Sequence, residues 1–583
     1  MAGFVAVIAD AGSDPVSEDE ITVLARRYQA LRGSGGVRLE AAGRFARVAT
    51  IESHVPVEVD RDTGSWCATV GSMYAPGRPV SARLETLDGQ FATIRYLAAQ
   101  DSLEVITDPF GMQDLYVASS GGRTYISTSA LVLARHLSAA PDPLGTKLFL
   151  RTGVQFGPVT HWEGVERVEP ATALRFEAGR RLANHRYWTP AIDSSVRAMG
   201  LRETVDHCVE IGRSRFGQRL KTRGLISADI TGGFDSRMVT ALLDSVGAPF
   251  ETLTVAEEPT DARSARMVAE AAGWDYREQA MPSDWRLTPA RLATALGWAD
   301  GRLDVFNLAE VLWRQHDRSG TSRRVVTGGG GENFGPSPWM QELWRAGRTK
   351  QVNFDNLMNM RVFLPLDVSP LAEDPRSTAE PYVREVLRAR AEQYGDELNT
   401  TKLDVIHAYR EVGHFGAYRS AGEAEVRAEL PCYYRDFWTA AVSSNYRWRN
   451  GHRLHRGIIE RLNPAVAAVE TQRGGPAELV TARNAVRFVP YYVRLGRTAI
   501  RKLRGRSNTS KGSRTAATSV HQDAVRELRR SGVLDPRQMA SGGLYDRDRL
   551  ERLIAAGEAG TLGSWTLLGR VATVELAQRA ASA

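Results

Sequence analysis

Cysteine is nearly absent from this chain: Cys67, Cys208 and Cys432 are the only three in 583 residues, and they lie far apart. That excludes a disulfide scaffold and any Cys-x-x-Cys metal or redox clamp, and a reducing, cytoplasmic setting is expected. Long apolar runs are missing, so no transmembrane segment is expected, and Phe4 to Ile8 is too short for the core of a signal peptide. No glycine-rich stretch ends in the Gly-Lys-Ser/Thr of a Walker phosphate loop. Internal repeats and recognisable nucleic-acid-reading modules are also missing, so no nucleic-acid partner is expected. Acidic residues are absent from one long stretch, 483 to 514, where ten Lys and Arg fall.

The remaining composition is that of an ordinary globular protein, with 43% hydrophobic and 25% charged residues and a net charge of +7. A prior of ~150 residues per domain allows three or four domains. The motifs suit two large ones better, 1–195 and 200–583, joined near Asp193 to Gly200.

The richest stretch is Asp229-Ile230-Thr231-Gly232-Gly233-Phe234-Asp235-Ser236-Arg237. Gly224 to Ile230 reads as a short buried strand. Met238, Val239, Leu242, Leu243 and Val246 then recur at helical spacing. A glycine turn that opens a helix aims backbone N–H groups and the positive helix end at one spot, which suits a phosphate. Thr231 and Ser236 add hydroxyl donors. Asp235 would repel a bare phosphate, so its presence implies a bridging Mg²⁺. Phe250 to Val255 reads as a second strand and Asp261 to Ala272 as a helix stopped by Gly273. Arg324 to Thr327 reads as a third strand, running into Gly328-Gly329-Gly330-Gly331-Glu332-Asn333-Phe334-Gly335. Strands alternating with helices predict a mostly parallel sheet, and ligands bind such sheets at the carboxyl ends of the strands.

The first loop resembles the Ser-Gly-Gly-x-Asp-Ser pyrophosphate loop of ATP pyrophosphatases. The two loops together resemble the asparagine synthetase family, whose second loop reads Ser-Gly-Glu-Gly-x-Asp-Glu-x-Phe-Gly. Met1 to Ile8, Arg32-Gly33, Leu87 to Ala92 and Asp108 to Tyr116 are similar to that family's N-terminal motifs, in the right order. The resemblance implies an α/β chain with an N-terminal Ntn-hydrolase-like αββα sandwich and a C-terminal parallel-sheet synthetase domain of PP-loop type. It implies ATP and Mg²⁺ as cofactors. ATP would lie on Thr231, Gly232, Gly233 and Ser236, on Val255 at the end of the second strand, and on Thr327 and Gly328. Asp235 and Glu332 would be catalytic and hold the metal. Arg473, in Thr471 to Pro476, is the nearest cation to the position of the family's phosphate-binding lysine. The sulfur-transferring pyrophosphatases are disfavoured by the missing Cys-x-x-Cys.

Departures from the family pattern sharpen the expectation. The glutaminase nucleophile would be an N-terminal cysteine, and Ala2 stands there. The oxyanion-donating asparagine and the amine-holding glutamate of the family align with Val70 and Ser72. A glutaminase-deficient member is therefore expected, similar to lasso peptide cyclases and β-lactam synthetases. The family glutamate that handles ammonia aligns with Gly329, and the next acidic position with Asn333. Arg237 replaces a second serine; it either meets a phosphate or substrate carboxylate or lies on a helix surface. Glu163 to Tyr187 reads as strands that lead into the synthetase half. Glu425-Val426-Arg427 and Pro431 to Tyr434 are taken to lie in the later helical part.

The implied function is an ATP-dependent carbon–nitrogen ligase that adenylates a carboxylate and lets an amine displace AMP, as in peptide or small-molecule cyclisation or glycan amidation. Both substrates are unidentified. An ammonia-dependent asparagine synthetase and a non-catalytic nucleotide-binding scaffold are the alternatives. The basic 483–514 stretch, with Phe488, Tyr491, Tyr492, Val493, Leu495 and Ile500 interleaved, fits an anionic membrane face, an acidic partner, or a solvated helix and loop. Pro490 is expected to interrupt any single helix there.

Overall fold

A computed structural model describes the chain except residues 1–2, 34, 52–56, 222–223, 257–258, 342–346, 364–368, 375, 473 and 504–515. It is a mixed α/β fold with two antiparallel sheets and one parallel sheet. The first sheet has the order β10-β8-β9-β1-β3-β2, formed by Val165–Arg167, Tyr116–Ser120, Arg123–Ser127, Gly3–Ala9, Ala46–Ile51 and Val37–Ala42. The second has the order β12-β11-β7-β6-β5-β4, formed by Arg180–Arg181, Thr172–Glu177, Ser102–Thr107, Asp88–Leu97, Trp66–Tyr74 and Val57–Val59, with β13 (His185–Arg186) also pairing β11.

Alternating residues build the space between these sheets. Phe4, Ala6 and Ile8 of β1 meet Val70 of β5, Ile94 of β6 and Val105 of β7 in one buried cluster. The alternate residues Val5 and Val7 face the helices Glu18–Arg32 and Ala130–Leu137. The outer face of the second sheet carries Phe91, Ile106 and Ala173, which pack with Ala82, Leu87 and Tyr187 of the same half. The C-terminal half meets this sheet at the start of β6. The side-chain amide of Gln90 donates to the Leu430 carbonyl at 2.9 Å and accepts from Arg419 at 3.1 Å. Arg419 also donates to Gln113 at 2.7 Å, and Asp88 pairs with Arg219 at 2.5 Å. On the other side, Arg32 pairs with Asp300 at 2.5 Å, both buried.

A large hydrophobic core crosses this boundary. Ile21, Leu24 and Leu131 share it with Leu292, Leu308, Val571 and Val574. The segment between the halves is a short helix, Ser194–Ala198, capped by Asp193, followed by the helix Leu201–Arg219.

The parallel sheet has the order β16-β15-β14-β17-β18, formed by Tyr276–Gln279, Phe250–Val255, Ile226–Asp229, Arg324–Val326 and Arg427–Glu429. Every neighbouring pair is parallel. The strands expected around 226, 250 and 324 are present, as are the helices Asp235–Ser245 and Pro259–Ala272. Two edge strands were not expected. Residues 427–429, placed in a helical region from sequence, instead extend the sheet beside β17, and Pro431–Tyr433 is a single 3₁₀ turn. Three residues are too few to carry a periodic signal, and the partner strand lies a hundred positions away.

Candidate functional site

Strand β14 sits in the middle of the parallel sheet and β17 beside it, so the loops that follow them emerge side by side at the carboxyl edge. The first loop is held by its own hydroxyls. The backbone N–H of Thr231 donates to Ser236 Oγ at 3.0 Å, the two hydroxyl oxygens lie 2.9 Å apart, and the Gly233 N–H donates to Thr231 Oγ1 at 3.2 Å. The Gly232 N–H donates to Asp261 Oδ1 at 3.3 Å. Thr254, next to Val255 at the end of β15, donates to the Ile230 carbonyl. These groups satisfy one another.

Glycine is required in the second loop because the first presses against it. A Cβ on Gly328 would lie 2.6 Å from the Ser236 nitrogen, and one on Gly331 would lie 2.5 Å from Asp235 Cβ. Gly330 has φ of +87°, and its Cβ would strike the Tyr433 ring at 2.5 Å. The Gly329 N–H donates to Thr327 Oγ1 at 3.0 Å, and a Cβ at 329 would come within 3.0 Å of Leu430.

Asp235 begins the Asp235–Ser245 helix and keeps its side chain 42% exposed, while one oxygen lies 2.9 Å from Nε2 of the buried His455. That nitrogen is also 2.9 Å from the Gly331 carbonyl. Glu332 lies opposite, and its Oε1 is buried with no hydrogen-bond partner. Burial first, and then the nearby Asp235 charge, push the Glu332 carboxyl up to about 8. Among the described residues, no group of three or more His, Cys, Asp or Glu forms a metal cage. Two carboxylates, one of them buried and unsatisfied, instead suit a hard cation that completes its shell with phosphate oxygens and water. Asn333 donates to the Gly330 carbonyl at 2.8 Å and so stiffens the turn rather than facing a ligand.

Arg237 has neither of the roles expected of it. It is fully buried, and it donates to the carbonyls of Val466 at 3.1 Å, Val469 at 2.8 Å and Glu470 at 3.4 Å. Burial, and then Arg456, lower its pKa to about 10. The segment it secures continues over the first loop: the Gln472 N–H donates to the Gly232 carbonyl at 3.2 Å, and Gln472 and Ser264 pack where a Gly232 side chain would be. Arg473 lies outside the described residues, as does Ala2. Val70 is buried in the core between the two antiparallel sheets, with an apolar side chain where the family pattern has an oxyanion donor.

The structure therefore brings Thr231, Gly232, Gly233, Asp235 and Ser236 together with Thr327, Gly328 and Glu332, with Val255 on the neighbouring strand end. It adds His455, Asp261 and Gln472. Gln472 falls in the Thr471 to Pro476 stretch already singled out for Arg473, whereas nothing in the local sequence of His455 or Asp261 marks them.

No protein-family model matches the chain, and no curated protein matches it in sequence. Two solved structures share part of its course. One is described as the allosteric regulatory enzyme of purine biosynthesis, at 9% identity and a TM-score of 0.23, over 43% of this chain and 64% of that one. The other is glutamine phosphoribosylpyrophosphate amidotransferase from B. subtilis complexed with ADP and GMP, at 9% identity and a TM-score of 0.21, over 47% and 65%. The chain thus spans just under two thirds of the length of either, and overlaps this weak carry no argument about activity.

Proposed function

We propose that the chain is an ATP-dependent amide-forming ligase of asparagine synthetase type, without glutaminase activity of its own. The observation that supports this most is the interlock of the two glycine loops at the carboxyl edge of the parallel sheet, with Asp235 and the unsatisfied Glu332 on its rim. A carboxylate is a poor electrophile at neutral pH. In this reading its oxygen attacks the α-phosphorus of ATP and pyrophosphate leaves. An amine then attacks the resulting acyl carbon and AMP leaves.

The backbone N–H groups and hydroxyls of Thr231, Gly232, Gly233 and Ser236 would exchange their mutual hydrogen bonds for phosphate oxygens, aided by the positive helix end. Asp235 and Glu332 would hold Mg²⁺, which when bound offsets the charge of the polyphosphate. His455 orients Asp235 from behind. The rest is positioning, since holding the amine beside the adenylate can itself supply ~7–11 kcal/mol.

Two features favour an amine other than glutamine-derived ammonia. Val70 lies in an apolar core, and Gly329, where the family glutamate would stand, offers no carboxylate and is tight against Leu430. The test is ATP–pyrophosphate exchange with a panel of carboxylic acids, followed by mass analysis of the product. Exchange that depends on one acid, with AMP release and an amide product, supports the proposal. Efficient asparagine formation from ammonium and aspartate would replace it with a synthetase of the ordinary kind, and no exchange with any acid would leave a nucleotide-binding scaffold.

A further inference from the structure

We infer that residues 480–497 form a docking surface for an anionic lipid bilayer. Twelve large apolar side chains are conspicuously exposed among the described residues, and five of them fall here: Val480 at 43%, Val486 at 82%, Val489 at 55%, Tyr492 at 53% and Val493 at 47%. A 3₁₀ turn, Ala485–Phe488, leads into the helix Val489–Leu503. Pro490 does not break this helix. It is the second residue, where no intrahelical N–H is needed, and the change from 3₁₀ to α takes place just before it.

The face at 489, 492 and 493 has the i, i+3, i+4 spacing of one helical stripe. The neighbouring stripe is docked. Phe488 is buried, with the Arg456 guanidinium 4.9 Å from its ring centroid and 5.5 Å from that of Tyr491. Gly474 and Gly475 pass under the helix start with positive φ, where an added Cβ would come within 3.1 Å of Tyr491 and 3.0 Å of Phe488. The helix is thus fixed on the protein by one stripe while the next points outward, apolar.

Cations surround the outward stripe. Arg483, Arg487, Arg494 and Arg497 are exposed. Arg487 pairs with Glu478 at 2.9 Å, and Arg494 reaches the Gln472 carbonyl. The ten Lys and Arg between 483 and 514 exceed the net charge of the whole chain, so the remainder carries −3. Arg483, Arg487, Arg494 and Arg497 give the described face a local positive charge. An apolar row flanked by arginines, one of them paired with Glu478, matches a negatively charged lipid surface. The helix start also rests on Gly474 and Gly475, and Arg494 holds Gln472, whose N–H reaches the Gly232 carbonyl, so a docked chain would hold its first glycine loop close to the headgroups. The inference goes beyond the ligase proposal and does not depend on it.

The full-length protein should co-float with vesicles of equimolar phosphatidylcholine and phosphatidylglycerol and not with phosphatidylcholine alone. Binding should weaken as salt rises. Val489→Asp with Val493→Asp should abolish flotation. Arg483→Gln with Arg497→Gln should reduce partitioning by about 30-fold, taking each arginine as roughly a five-fold gain near an anionic surface. All four positions are exposed, so circular dichroism and Tm should match the parent. Equal binding to both vesicle types, no binding to either, or binding untouched by both double variants would overturn the inference.

Discussion

Gly328 lies so close to Ser236 that a single added carbon would sit 2.6 Å from the Ser236 nitrogen. One loop of the site is thus the mould for the other. Gly328→Ala should push the second loop off the start of the Asp235–Ser245 helix and cost about 1–3 kcal/mol, as overpacking typically does. Gly233→Ala is the contrast, since its Cβ would meet only the Thr231 hydroxyl at 3.3 Å. Thermal unfolding without ligand should rank Gly328→Ala well below Gly233→Ala. The reverse order would refute the interlock.

Asp235→Asn should leave the fold intact, because the side chain is partly exposed and the amide still reaches His455. It should lower ATP–pyrophosphate exchange by about 10²–10³, the usual scale for loss of one charged contact at a reacting centre. Near-parental exchange would remove Asp235 from the proposed metal site.

Glu332 makes the stability of the unliganded chain depend on pH. Its folded-state pKa is raised from 4.5 to about 8, so the folded state binds more protons than the unfolded state between those values. Stability contributed by the protonated form is present below the unfolded value and is lost as pH rises through the folded one. Glu332→Gln should remove that dependence, giving a Tm a few degrees above the parent at pH 8 and close to it at pH 4.5. Mg²⁺ with ATP should stabilise the parent and not the variant. An identical pH profile for the two proteins would show that Glu332 is not the buried carboxyl described here.

The N-terminal half should release no glutamate from glutamine, with or without ATP, beyond a heat-killed control. It should nevertheless be indispensable. Arg419→Met would strip the donor from Gln90 and Gln113 and leave the buried Glu423, 3.3 Å from Arg419, without that partner. Breaking a buried pair in this way typically costs about 3–5 kcal/mol. Chemical denaturation of the variant measures it. A change under about 1 kcal/mol would mean the two halves are not joined through Arg419.

The loops were legible in the sequence because glycine and hydroxyl residues between a short apolar run and a helical one leave few alternatives. The strands at 226, 250 and 324 followed from the same punctuation. Arg237 was not legible. A cation in the first turn of a phosphate-loop helix suggests an anion, and only the fold shows three carbonyls waiting for it. His455 was hidden for a related reason: it reaches Asp235 from a helix more than two hundred residues away. Pro490 was misread because its effect depends on whether it opens a helix or falls inside one.

Arg237 has a mechanical consequence. One guanidinium, rooted in the helix that carries Asp235, hangs the 466–470 backbone above the loop, and Gln472 completes the span. Floor and roof of the site are therefore one piece and will move together. On the proposed reading, any motion that closes the site over a nucleotide would come from segments that are not suspended from Arg237.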